Sequence, residues 1–145
     1  MPTLDHWTMT AESFALESSI PVLRMLDESL TRDFYLAYLG YEIDWEHRFG
    51  EDETSPLYMQ IHRGDSVIHL NGHADEDSSI CEVRIPVRNL QSFCDYLCTK
   101  EKANEKLEIV DPRYEGRPTD LNLLDPSGNH LVFWTPSRLA NSIST

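Results

Sequence analysis

Residue types able to do chemistry are sparse in this 145-residue chain, and they are scattered along it. His69 and His73 stand four apart in His69-Leu70-Asn71-Gly72-His73. On a helix that spacing would aim two imidazoles at one metal ion, but here it falls at the end of an extended, alternating run, where both rings need not face one way. His47, beside Glu46, and His62 lie on alternating stretches and read as polar strand faces. Cys81, Cys94 and Cys98 are odd in number and hold no C-x-x-C pair, so they read as small buried thiols rather than a disulfide frame. There is no G-x-S-x-G elbow, no glycine-rich phosphate loop and no H-E-x-x-H helix. By motif alone, no catalytic constellation is present.

Charge is more informative. Asp and Glu number 25 against 12 Lys and Arg, a formal net charge of −13. The charge argues against nucleic acid as a partner, because phosphate binding needs a basic footprint. Such a field would draw in a cationic ligand or the basic patch of a protein partner. Much of the acid sits in Glu51-Asp52-Glu53 and Asp75-Glu76-Asp77, which read as solvated loops. No apolar run approaches the ~20 residues of a membrane span. Residues 1–17 carry Asp5, Glu12 and Glu17 but no Lys or Arg, unlike a secretory signal, so a cytoplasmic location is expected.

Certain elements must position whatever site exists. After a lead-in of 1–18, Ile20 to Leu26 reads as a strand. Asp27 is a candidate N-cap for a helix over about 28–39, which carries Leu30, Phe34, Ala37 and Tyr38 and ends at Gly40. Tyr41 to Phe49 alternates, as does Leu57-Tyr58-Met59-Gln60-Ile61-His62, and Ser66 to Leu70 gives a fourth strand. The acidic linker 71–79 follows, and then the order recurs. Ile80 to Val87 is a strand, Asn89 caps a helix with Leu90, Phe93, Cys94 and Leu97, and three strands begin at Leu107, Asp120 and His130. Pro112 and Pro118 bracket a loop with Arg113, Tyr114 and Arg117; Asp125-Pro126-Ser127-Gly128-Asn129 joins the last two strands.

This is an internal repeat of strand, helix and three strands. Val22 to Asp27 and the helix end Tyr38-Leu39-Gly40 line up with Val83 to Arg88 and Tyr96-Leu97-Cys98. A doubly wound nucleotide fold would alternate strands and helices throughout, so it is excluded. The expected class is α+β: two tandem βαβββ modules forming curved mixed sheets around a cleft. The expected boundaries are an extension at 1–18, modules at 19–72 and 79–136, and a tail at 137–145.

Val22-Leu23-Arg24-Met25-Leu26-Asp27, then Asp33-Phe34-Tyr35 and Leu39-Gly40-Tyr41, resembles the opening of glyoxalase/bleomycin-resistance/dioxygenase (vicinal oxygen chelate) proteins. The Asp125–Asn129 turn is similar to that family's closing D-P-x-G-N turn, and the metal-free bleomycin-resistance members are the most similar subgroup. In metal-dependent members, four inward residues bind the ion. The resemblance carries these onto Ile20, His69, Glu82 and Val132, leaving only His69 and Glu82 as residual ligands and implying a hydrogen-bonded His69–Glu82 pair. A divalent metal is therefore disfavoured, since even open zinc sites use three protein ligands.

The resemblance implies a homodimer with two clefts and a non-catalytic protein that sequesters a small, cationic molecule. Candidate ligand-binding residues are Trp45, Glu46, Tyr58, His69, Glu82 and Trp134, with aromatic faces for planar or cationic groups and acids for charge. No catalytic residue and no cofactor are assigned. Two alternatives stand: a metal-dependent lyase or dioxygenase of the same superfamily, and an acidic immunity-type protein that neutralises a basic toxin.

Overall fold

The computed structural model describes residues 13–100, 109–110 and 120–136. The start of the extension (1–12), the loop holding Arg113, Tyr114 and Arg117, and the tail 137–145 lie outside the described residues. The first module runs β1 (Val22–Arg24), α1 (Glu28–Arg32, continued by a π-helical turn Asp33–Tyr38), β2 (Glu42–Arg48), β3 (Leu57–Arg63) and β4 (Ser66–Asn71). The second runs β5 (Glu82–Pro86), α2 (Leu90–Cys98), β6 (Ile109–Val110), β7 (Asp120–Leu124) and β8 (His130–Trp134). Each forms one mixed four-stranded sheet, ordered β1-β4-β3-β2 and β5-β8-β7-β6, in which the first strand pairs parallel to the last. Among the described residues no helix is long and apolar enough to cross a membrane.

Alternation decides the faces. Leu57, Met59 and Ile61 of β3 and Ile68 and Leu70 of β4 are buried and join Phe34, Tyr35, Tyr38 and Leu39 of the first helix in the core. Ile85, Leu131 and Phe133 do the same with Leu90 and Leu97 of α2. Burying one such aliphatic side chain contributes about 1.5–3 kcal/mol, so these rows fix which face each strand turns inward.

The caps follow the sequence. Asp27 accepts from the Leu30 amide at 2.8 Å, and Asn89 accepts from Ser92 at 3.2 Å from a left-handed backbone (φ 55°) that asparagine tolerates. Gly40 leaves α1 at φ 82°, where any side chain would be strained.

Four expectations are corrected. The first helix covers the expected span, but its last six residues wind wider, with Leu39 N bonded to Phe34 O, bringing Phe34, Tyr35 and Tyr38 all into the core. The first strand is three residues long rather than seven, and just past its end the Leu26 amide is taken by the Ser127 hydroxyl at 2.9 Å. The repeat's alignment of Val22 with Val83 is out of phase: Val22 faces away from the core and Val83 packs against it, as a one-residue slip requires. Of the thiols, Cys94 is buried and Cys81 half-buried, whereas Cys98 is exposed.

Candidate ligand-binding cup

The faces turned away from the helices carry the polar and aromatic residues. On the first sheet the decisive local feature is a β-bulge in β2, where pairing passes from Ile43↔Ile61 directly to Trp45↔Gln60. The extra residue, Asp44, shares the cup face with its neighbour Trp45, and the alternation then resumes with the opposite phase. Glu46 consequently points to the helix side, where Arg32 holds it at 2.6 Å. The same alternation pairs Arg48 with Glu28 of α1 at 2.8 Å. Glu46 is thus not brought to the cup, and Asp44 takes its place as the acid there.

Five side chains form a continuous chain across this cup. Tyr58 Oη lies 2.8 Å from His69 Nδ1, His69 Nε2 lies 2.9 Å from Gln60 Oε1, and Gln60 Nε2 donates to Asp44 Oδ2 at 2.9 Å. Asp44 Oδ1 stands 2.7 Å from His62 Nδ1. The Gln60 hydrogen bond, more than the His62 contact, holds the Asp44 carboxyl below its ordinary value. An ionised carboxylate only accepts, so the Gln60 amide nitrogen must face Asp44 and its oxygen must face His69. His69 Nε2 then carries a proton, and in the neutral ring Nδ1 accepts from the Tyr58 hydroxyl.

Over this chain sits an aromatic wall. Trp45 is stacked on Tyr58 with centroids 6.0 Å apart and planes 10° from parallel, and it meets His69 edge-on at 5.4 Å. It remains 44% exposed, a large apolar face open to a ligand. The row continues through His47, Phe49 and His73, with centroids 4.4 Å and 4.7 Å apart. Sequence reasoning missed Asp44, Gln60 and Phe49. Gln60 was recoverable, since it alternates between Tyr58 and His62; the bulge that places Asp44 leaves no signature in residue types.

On the cup face of the second sheet the charged groups pair with one another, while the buried Trp134 Nε1 has no hydrogen-bond partner among the described residues. Arg84 lies over the Trp134 ring at 5.3 Å and reaches Glu82 at 3.9 Å and Asp120 at 3.8 Å. His130 contacts Glu82 at 3.4 Å and Asn122 at 2.9 Å. The expected His69–Glu82 pair does not form, because each partner is engaged within its own sheet. Trp134 likewise already holds a cation of this chain.

The four positions at which metal-dependent relatives place ligands do not fit an ion. Ile20 and Val132 offer only hydrocarbon, both His69 nitrogens are hydrogen-bonded, and Glu82 faces His130 and Arg84. Among the described residues no three His, Cys, Asp or Glu groups are placed to hold a metal.

This architecture of paired βαβββ modules defines a class, and the sequence places the chain within it. The family model described as "Glyoxalase superfamily protein" matches residues 4–138, so the chain belongs to the glyoxalase superfamily. Among solved structures it is similar to a bleomycin resistance determinant encoded on transposon Tn5, at 23% identity over 83% of this chain and 98% of that one, with TM-score 0.57. It is also similar to the bleomycin-binding protein of Streptomyces verticillus solved with copper(II)-bleomycin, at 19% identity, 85% and 98% coverage and TM-score 0.55. A glyoxalase family protein from Enterococcus faecalis shares 14% identity, with 83% and 96% coverage and TM-score 0.55. These likenesses show the fold. No curated protein matches the chain.

Proposed function

We propose that the chain is a non-catalytic binding protein that sequesters a small molecule bearing a planar ring and a cationic group. The ring stacks on the exposed face of Trp45, and the cation meets Asp44. The observation that carries this reading is the Trp45–Tyr58 stack, open on one side and braced beneath by His69. Stacked aromatics present area at little entropic cost and attract cations to their faces. A net charge of −13 raises the encounter rate of a cationic ligand. The names of the similar Tn5 and Streptomyces verticillus proteins, a bleomycin resistance determinant and a bleomycin-binding protein, support an antibiotic-like ligand.

His69 serves as a brace in this reading, since both its nitrogens are held. A metal-dependent lyase or dioxygenase would first have to free it from Tyr58 and Gln60. The protein acts in the cytoplasm as a homodimer in which copies cover exposed apolar residues such as Val22 and Leu124. An immunity-type role rests on the acidic charge alone.

Calorimetric titration with a bleomycin-type glycopeptide is the direct test. Saturable heat at tens of micromolar protein, lost in Trp45→Ala, is the expected result. Its absence in the native protein, or its persistence in Trp45→Ala, rejects the proposal for this ligand class.

A further inference from the structure

The two helices meet their facing turns unequally. The five-residue turn Asp125–Asn129 is locked onto α1 and β1. Tyr35 donates to Asp125 at 2.7 Å, the Leu26 amide to Ser127 Oγ at 2.9 Å, and Asn129 Nδ2 to the Arg24 carbonyl at 3.0 Å. The matching helix ends, Tyr38-Leu39 and Tyr96-Leu97, make Phe93 of α2 the counterpart of Tyr35. The turn facing α2 is the one between β3 and β4, where Arg63 lies over the Tyr96 ring at 4.8 Å. It has two residues, Gly64 and Asp65, in place of five. Phe93 also lacks the hydroxyl that would anchor a turn.

Where the longer turn would dock there is instead a cavity of about 930 Å³. Val83, Ile85, Val87, Phe93 and Phe133 give it an apolar floor, and Tyr41 and Ser66, joined at 2.7 Å, form a polar wall. Arg63 and Arg88 also line it, with Asp65 as the carboxylate. That places two of the chain's 12 cationic residues at one opening of a protein whose net charge is −13. Arg63 donates to a neutral carbonyl, Gly40 O, at 3.1 Å, and among the described residues no carboxylate other than Asp65 lines the cavity. The volume lies in the range of small-molecule sites.

We propose that this cavity between the modules, separate from the aromatic cup, binds an amphiphilic anion: an alkyl carboxylate with its chain on the apolar floor and its head among the guanidiniums. The overall acidic field opposes anions, so a preference for one over a cation of equal chain length requires a local site.

The experiment is calorimetry of the full chain with dodecanoate and with dodecyltrimethylammonium, both kept below micelle formation. Dodecanoate is expected to bind one-to-one, at least tenfold tighter than the ammonium compound. Val87→Trp, which fills the cavity, and Arg88→Gln each weaken dodecanoate at least tenfold, while Trp45→Ala leaves it unchanged. If Val87→Trp does not fold, Arg88→Gln decides. Equal binding of the two amphiphiles, no dodecanoate binding at millimolar concentration, native-like binding by Arg88→Gln, or loss in Trp45→Ala overturns the assignment. The last variant also separates this site from the cup, so either can fail without the other.

Discussion

The Tyr35 hydroxyl donates a 2.7 Å hydrogen bond to Asp125 Oδ2, and both residues are buried although 90 positions separate them. The carboxylate also accepts from the amides of Ser127 and Asn129 and from Asn129 Nδ2. Tyr35→Phe removes one donor from a buried charge, at a cost of about 1.5–3 kcal/mol. Thermal unfolding should show Tm lower by several degrees. An unchanged Tm would mean that the turn is held by its own amides.

The same pair predicts an alkaline limit. Burial, and then the adjacent Asp125 charge, push the Tyr35 hydroxyl far above its ordinary value. A folded-state pKa raised in this way gives stability that is complete below the unfolded value, about 10, and is lost as pH rises beyond it. Stability measured by denaturant unfolding should therefore decline above about pH 10 in the native protein and less steeply in Tyr35→Phe. Parallel profiles would reject the linkage.

At the acid end the sign reverses. Arg48 holds the Glu28 carboxyl below its ordinary value. Its contribution is present above the unfolded carboxylate range, about 4, and is lost as pH falls through the lower folded value. Glu28→Gln should flatten the acid limb of a Tm-versus-pH curve, modestly because the pair is partly solvated.

Asp44 and Glu46 are two acids on one strand with opposite duties. Asp44→Asn should weaken a planar cationic ligand about tenfold by calorimetry. Glu46→Gln should leave the affinity alone and cost at most about 1 kcal/mol of stability through the lost Arg32 pair. The reverse ranking would place the cup on the wrong face of β2.

Arg24 joins two distant segments. Its Nε donates to Ser127 O at 2.8 Å, and its Nη1 reaches Glu76 O at 3.0 Å and Ser78 O at 2.9 Å. Arg24→Ala should raise amide exchange across 75–78 and in the Asp125–Asn129 turn together. Exchange raised in neither segment would deny the coupling.

What could be read from residues alone follows from range. The element order, the Asp27 and Asn89 caps and the closing turn are local chemistry, and they stand in the structure. Tyr58 and His69 meet on one face because alternation is regular along β3 and β4, whereas Trp45 joins them only through the bulge that shifts its phase. Glu46 was misplaced because an extra residue in a ladder changes phase without changing composition. The partners of His69 and Trp134 were illegible for another reason: Gln60 and Arg84 approach across neighbouring strands, and only the register, Gln60↔His69 and Pro86↔Trp134, brings them near.

The bulge at Asp44 also bears on how this cup can evolve. Because Glu46 and Arg48 are tied to the helix, loss of one codon at 44 would leave their half of the strand in place and remove the acid next to Trp45. Ligand preference here is therefore open to revision by a single in-frame deletion, which would also release Gln60 and His62 from their shared carboxylate.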